Sequence, residues 1–148
     1  MMLVAHVLES AQKRLTTLRP ESGVCEAAAL LLNPQTPLIV VCNEAGVAVG
    51  VVSRTDVIKA IARPDEDLLS TRIETIMTQD VLSCRAHQPL RDVWKSLNDR
   101  SLRCAPVLDS DASPQGVLHA RDIAGALLEE ISSEEAVLRD YVLGVGYR

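Results

Sequence analysis

Apolar residues at Leu3, Val4, Val7, Leu8 and Ala11 recur at helical spacing, which predicts an amphipathic helix over residues 3–13. Residues 15–18 are short and rich in strand formers, and Pro20 ends them. A second helix is expected from Ser22, a capping residue type, with Glu26 in its first turn and Asn33-Pro34 as its stop. Residues 37–42 form an unbroken apolar run of strand length, the pattern of a strand buried on both faces. Asn43-Glu44-Ala45-Gly46 reads as a turn, residues 47–52 as the second arm of a hairpin, and residues 53–62 as a helix stopped by Arg63-Pro64.

The same order then returns. Residues 65–75 are a charged connector, followed by a strand at 81–83, a helix at 89–98, strands at 105–108 and 115–118, and a helix at 122–131. Ser132 and Glu135 have the spacing of a capping box, which predicts a separate last helix with Gly144 as its stop and a loose tail after it. The return is also visible residue by residue. Gly50-Val51-Val52-Ser53-Arg54-Thr55-Asp56 is answered 66 positions later by Gly116-Val117-Leu118-His119-Ala120-Arg121-Asp122. At that same gapless offset Thr17 falls on Ser83, Arg19 on Arg85, Val24 on Leu90, Val41 on Val107 and Ile61 on Leu127. The chain is two copies of one β-α-β-β-α unit. This predicts an α/β (α+β) fold with the units packed about a pseudo-two-fold axis. The expected division is residues 1–64 for the N-terminal helix and first unit, 65–75 for the connector, 76–131 for the second unit and 132–148 for the last helix and tail.

Composition narrows the function. The chain has 148 residues, 47% of them apolar, with no Phe, one Trp and two Tyr, so the core must be aliphatic. A net charge of −5 without clustered Lys and Arg, and without aromatics for base stacking, argues against a nucleic-acid partner. No apolar run approaches the ~18 residues of a spanning helix, so no membrane partner is expected. Without a basic leader at the N-terminus, and with four cysteines placed singly, the expected compartment is the cytoplasm.

The repeated heptapeptide carries the candidate chemistry. In each copy an apolar strand runs through Gly into a helix whose first residues are polar. A helix N-terminus offers unpaired N–H groups and partial positive charge, which suit a phosphate, and Ser53 adds a hydroxyl donor there. Asp56, in the same turn, could accept hydrogen bonds from a ribose diol. Ser53 and Asp56 also have the spacing of a capping pair, which would satisfy the helix itself and require no ligand.

The duplicated order, with Gly, two apolar residues, Ser, two variable residues and Asp closing the first copy, resembles a tandem pair of cystathionine-β-synthase (CBS) domains, or Bateman module. Ile73-Glu74-Thr75-Ile76-Met77-Thr78 resembles that family's lead-in to its second copy. Arg103-Cys104-Ala105-Pro106-Val107-Leu108-Asp109 resembles its Arg-x-x-Pro-Val-x-Asp strand. The resemblance implies a regulatory adenine-nucleotide ligand (AMP, ADP, ATP or another adenosyl compound) and no obligatory cofactor. It implies a first site with Ser53 on phosphate, Asp56 on ribose, and Thr17, Leu18, Pro20, Leu38, Ile39 and Val40 walling the adenine. A second, weaker site would draw on Asp122, His119, Ser83 and Pro106, with His119 replacing the family's hydroxyl residue. Protonated His119 could pair with phosphate, favouring that site at mildly acidic pH. The resemblance further implies a homodimer and leaves open an effector protein. The rival expectation is a ligand-free dimerisation or protein-interaction module.

No catalytic residues are expected, because no G-x-S-x-G elbow, P-loop or His-Glu-x-x-His occurs. Cys84 and His87 form a C-x-x-H pair, but no second pair completes the four ligands of a structural zinc, so no metal is expected either.

Overall fold

The computed structural model describes residues 1–63 and 67–143. A 3₁₀ turn at Val4–Val7 leads into helix α1, Leu8–Lys13. The first unit follows as β1 (Thr17–Leu18), α2 (Val24–Leu31), β2 (Ile39–Cys42), β3 (Ala48–Val52) and α3 (Arg54–Ile61). A 3₁₀ turn at Ile73–Thr75 precedes the second unit: α4 (Leu90–Asp99), β4 (Cys104–Leu108), β5 (Pro114–His119) and α5 (Ala120–Val142). The two repeats and the mixed α+β architecture are as the sequence predicts. The expected Gly144 stop and the tail lie outside the described residues, as does most of the Asp65-Glu66-Asp67 stretch.

One sheet has the order β1-β2-β3, with β1 parallel to β2 and β2 antiparallel to β3; the other is the β4-β5 hairpin. The alternation of side chains along β2 divides the interior. Ile39 and Val41 face a core with Val24, Ala27, Leu31, Val52 and Val57, whereas Leu38, Val40 and Cys42 face the second unit through Val51 and Val117. The second unit has its own core around Leu90, Val93, Leu97, Ala105, Leu118 and Ile123. Trp94 packs against that core.

The expected strand at 81–83 does not form. In the first unit the Val40 N–H donates to the Thr16 carbonyl at 2.9 Å, which holds β1 on β2. The counterpart of Val40 in the repeat is Pro106, which has no N–H to give to Leu82. Only a single parallel bridge survives, Cys84 to Val107, in the register that joins Leu18 to Val41 in the first unit.

Helix α2 begins at Val24 with Gly23, not Ser22, at its cap. Its first N–H needs no side-chain cap, because Val24 N–H donates to the Thr71 carbonyl at 3.0 Å. The expected break before Ser132 is absent as well. A cap acts on N–H groups that lack partners, and inside α5 those of Ser132 to Glu135 bond one turn back; no Gly or Pro between Gly125 and Leu143 forces a break.

The lead-in segments cross over. Val4 and Ala11 are buried in the second unit's core, while Ile73 is buried in the first unit's. The helix grouped by sequence with residues 1–64 therefore packs on the other unit. Two glycines without positive φ make the crossing possible. A Cβ on Gly116 would lie 2.7 Å from the Ala11 carbonyl carbon, and one on Gly50 would lie 2.8 Å from Met77 Sδ. Ala11 and Met77 are themselves 66 positions apart, so the crossing obeys the repeat.

Candidate functional site

Ser53 caps α3. Its N–H donates to Asp56 Oδ2 at 2.9 Å, and the Asp56 N–H donates back to Ser53 Oγ at 3.3 Å. The Ser53 hydroxyl proton also points to Asp56 Oδ2, at 3.2 Å, and Thr78 Oγ1 donates to Asp56 Oδ1 at 3.1 Å. A carboxylate has about four acceptor positions, so these bonds orient Asp56 and leave it acceptor capacity. Ser53, however, spends its one proton on Asp56.

Above this capping box lies a cleft of about 420 Å³. Leu38 and Val51 of the first unit line it, with Val81, Leu82, Cys104 and Pro106 of the second. Its polar rim is Ser53, Thr55, Asp56, Thr78 and Asp80, together with Arg54 and Arg103. The Arg54 guanidinium is anchored through Nη2 to the carbonyls of Asn33 and Thr36, both at 3.2 Å. Cys104 is half-buried in the cleft wall, and burial pushes its thiol up to about 11 against the opposing pull of Arg14 and Arg54.

Of the residues expected at the first site, the structure brings together Ser53, Asp56 and Leu38. Thr17 and Leu18 are tied into β1 beside β2, and Pro20 meets the connector, its carbonyl accepting from Glu74 N–H at 3.1 Å. Ile39 and Val40 are fully buried. None of these five lines the cleft. The pseudo-two-fold packing lays the opposite unit's lead-in over Ser53, so the apolar wall is Val81, Leu82 and Pro106. Pro106, expected at the second site, lines this cleft beside Ser53 and Asp56 instead. Leu82, Thr78, Arg54 and Arg103 also line the cleft; the crossing of the lead-ins, which places Thr78 and Leu82 there, is not visible in the local pattern.

The second copy of the motif differs at three points. His119 caps α5, its Nδ1 accepting the Arg121 N–H at 3.0 Å, which places any ring proton on Nε2. Burial, then Arg14, lower the His119 pKa, with Asp122 opposing and Arg121 and Arg103 adding to the fall. Burial and the neighbouring guanidinium groups therefore favour the neutral ring. Asp122 accepts a bidentate pair from Arg14, Nε to Oδ2 at 2.9 Å and Nη2 to Oδ1 at 3.1 Å. The Thr16 carbonyl, counterpart of Leu82's, is taken by Val40 N–H. Ser83 lines two hollows with Val81 instead, neither of which includes His119 or Asp122.

The sequence profile of the CBS domain matches residues 4–63 and again 73–129. The chain belongs to the CBS domain family. Its fold is similar to the CBS domain pair of protein MJ0100 in complex with 5′-methylthioadenosine and S-adenosyl-L-methionine, with a TM-score of 0.74, 23% identity, and coverage of 88% of this chain and 98% of that one. It is also similar to CBSX2 in complex with AMP, with a TM-score of 0.73, 24% identity, and coverage of 87% and 98%. In sequence, this CBS pair is 29% identical over 111 residues to a homoserine O-acetyltransferase of Methanococcoides burtonii. That match takes in 75% of this chain but spans only 22% of the enzyme's length. An uncharacterised 17.7 kDa protein of Acidianus ambivalens is 24% identical over 144 residues, 97% of this chain and 86% of that protein. Among the described residues, no helix of the pair is long and apolar enough to cross a membrane.

Proposed function

We propose that this CBS pair is a regulatory module without catalytic activity that binds one adenine nucleotide or other adenosyl ligand in the cleft between its units. The observation that carries this reading is the cleft of about 420 Å³ whose wall is apolar and whose rim holds Asp56 and two arginines. Leu38, Val81, Leu82 and Pro106 suit a flat base. The Leu82 carbonyl, which a proline cannot engage, is the acceptor assigned to an exocyclic amine. Asp56, steadied by Ser53 and Thr78, takes the ribose hydroxyls. Arg54 and Arg103 supply charge for a phosphate, a role the sequence had given to Ser53. The solved pairs that hold 5′-methylthioadenosine, S-adenosyl-L-methionine and AMP support the ligand class.

The module is further read as a cytoplasmic homodimer acting on a partner protein. Its dimer face is assigned to α3 and α5, where Ile58, Ile61, Leu128 and Ile131 stand exposed. A ligand-free assembly module is the second reading, and the observed Ser53–Asp56 capping box favours it. That reading also requires a filled cleft, which the structure does not have.

A thermal-shift titration with AMP, ADP, ATP, S-adenosylmethionine and GMP decides between them. A ligand of the native state stabilises by about 2.7 kcal/mol at a hundred times its Kd, so an adenine compound should raise Tm with concentration. Asp56→Ala should abolish that rise, measured from its own baseline, since loss of the cap alone costs about 1 kcal/mol. No shift with any adenine compound at millimolar concentration would leave the assembly module as the function.

A further inference from the structure

Asp80 lines the open cleft, and its counterpart 66 positions earlier is Arg14. The two lead-ins follow equivalent paths, Met77 against Gly50 and Ala11 against Gly116, so Arg14 and Asp80 arrive at equivalent places. Asp80 turns outward, 92% exposed, to Arg100 at 3.7 Å, and Asp56 lines the open cleft. Arg14 turns inward and spends two N–H groups on Asp122. The Arg14 and Asp122 side chains are only 22% and 19% exposed, so the pair is largely buried and weakly screened.

We propose that Arg14 is a built-in occupant of the second adenosyl site, which is latent and kept closed by this side chain. The inference rests on the reading of the Ser53–Asp56 cleft as an adenosyl site. Asp122 is the carboxylate that would receive the ribose hydroxyls, and both its oxygens are engaged by the guanidinium. A neutral ligand portion cannot compete well with a charge-assisted bidentate bond, which is roughly twice as strong as a neutral one. Displacement would also leave a partly buried Arg14 without its counter-ion. The packing of Ala11 on Gly116 holds α1, and with it the base of Arg14, in place. The module is therefore a one-site receptor because its N-terminal helix, not only the His119 substitution, closes the other site.

Equilibrium dialysis with radiolabelled AMP, run to millimolar free ligand, tests this by counting ligands per chain. Wild type and Asp122→Ala should each bind one. Arg14→Ala and Arg14→Gln should bind two, the second more weakly because His119 and the engaged Thr16 carbonyl persist. Arg14→Ala combined with Asp56→Ala should retain one AMP, and adding Asp122→Ala should remove it. An arginine that merely braces the fold would lower Tm on substitution and leave the count unchanged, which overturns the proposal. A wild type that binds no AMP, beside an Arg14→Ala variant that binds one in a manner dependent on Asp122, removes the first-site reading and keeps this one. Absence of AMP binding in every variant overturns both.

Discussion

Gly116→Ala tests how the N-terminal helix is seated. The backbone at Gly116 has an ordinary φ, so alanine brings no torsional strain, and what it brings is a methyl group. That methyl would meet the Ala11 carbonyl carbon at 2.7 Å, Ala11 Cβ at 2.8 Å and the Ala11 oxygen at 2.9 Å. Two of the three are backbone atoms of α1, so no side-chain rotation relieves them and the helix must retreat. Overpacking of this kind costs about 1–3 kcal/mol, offset by about 0.4–1 kcal/mol from the stiffer unfolded chain. The net expectation is a loss of about 1–2 kcal/mol. For a chain of this length 1 kcal/mol moves Tm by about 2–4 °C, so the fall should be roughly 2–8 °C. Gly50→Ala is the internal control. Its methyl would meet Met77 Sδ at 2.8 Å and Cγ at 3.0 Å, a flexible side chain, with only the Thr78 oxygen at 3.0 Å as a backbone contact. Thermal or urea unfolding of the two variants should rank Gly116→Ala as the more costly by about 1 kcal/mol or more. If it unfolds within ~0.5 kcal/mol of wild type, or Gly50→Ala proves worse, the close-approach account of these glycines is wrong.

Two further outcomes are expected. Iodoacetamide should label exposed Cys25 in the native protein, and Cys84 only after unfolding, since burial pushes its thiol up to about 12; mass spectrometry showing native labelling of Cys84 would contradict its burial. Burial and Arg14 lower the His119 pKa, so the unfolded chain binds the proton more readily than the folded one. The stabilisation from the neutral ring is complete above the ordinary value of about 6.5 and is lost as pH falls below it toward the folded value. His119→Asn keeps a capping side chain but does not titrate, so its Tm should fall less than wild type's between pH 7 and 5; equal slopes would refute the assignment.

Much of the molecule was legible in the residues alone. The apolar run at 37–42, the turn at Asn43 to Gly46 and the cap at Ser53 are local signals, and each element they predict forms within a residue or two. The offset of 66 was equally legible, because duplicated units preserve burial pattern even where few identities remain. Ser53 and Asp56 could be named because a strand running through Gly into a polar helix start is itself a short-range pattern.

What surrounds those two residues could not be read, because it is contributed from far along the chain. Pro106 deletes one N–H, and that single loss dissolves the strand at 81–83 and puts Leu82 in the cleft wall in place of Thr17 and Leu18. The capping box at Ser132 was locally sound but had no unpaired N–H groups to serve in an uninterrupted helix. Arg14 carries no signal of its own at the end of a short amphipathic helix. The repeat aligns it with Asp80, but only the crossing of the lead-ins, permitted by the bare backbone of Gly116, carries it to Asp122. Sequence determined the units and their shared motif, since those depend on neighbours a few residues away. The packing of one unit against the other decided which motif stands open, since that depends on a charge 108 positions distant.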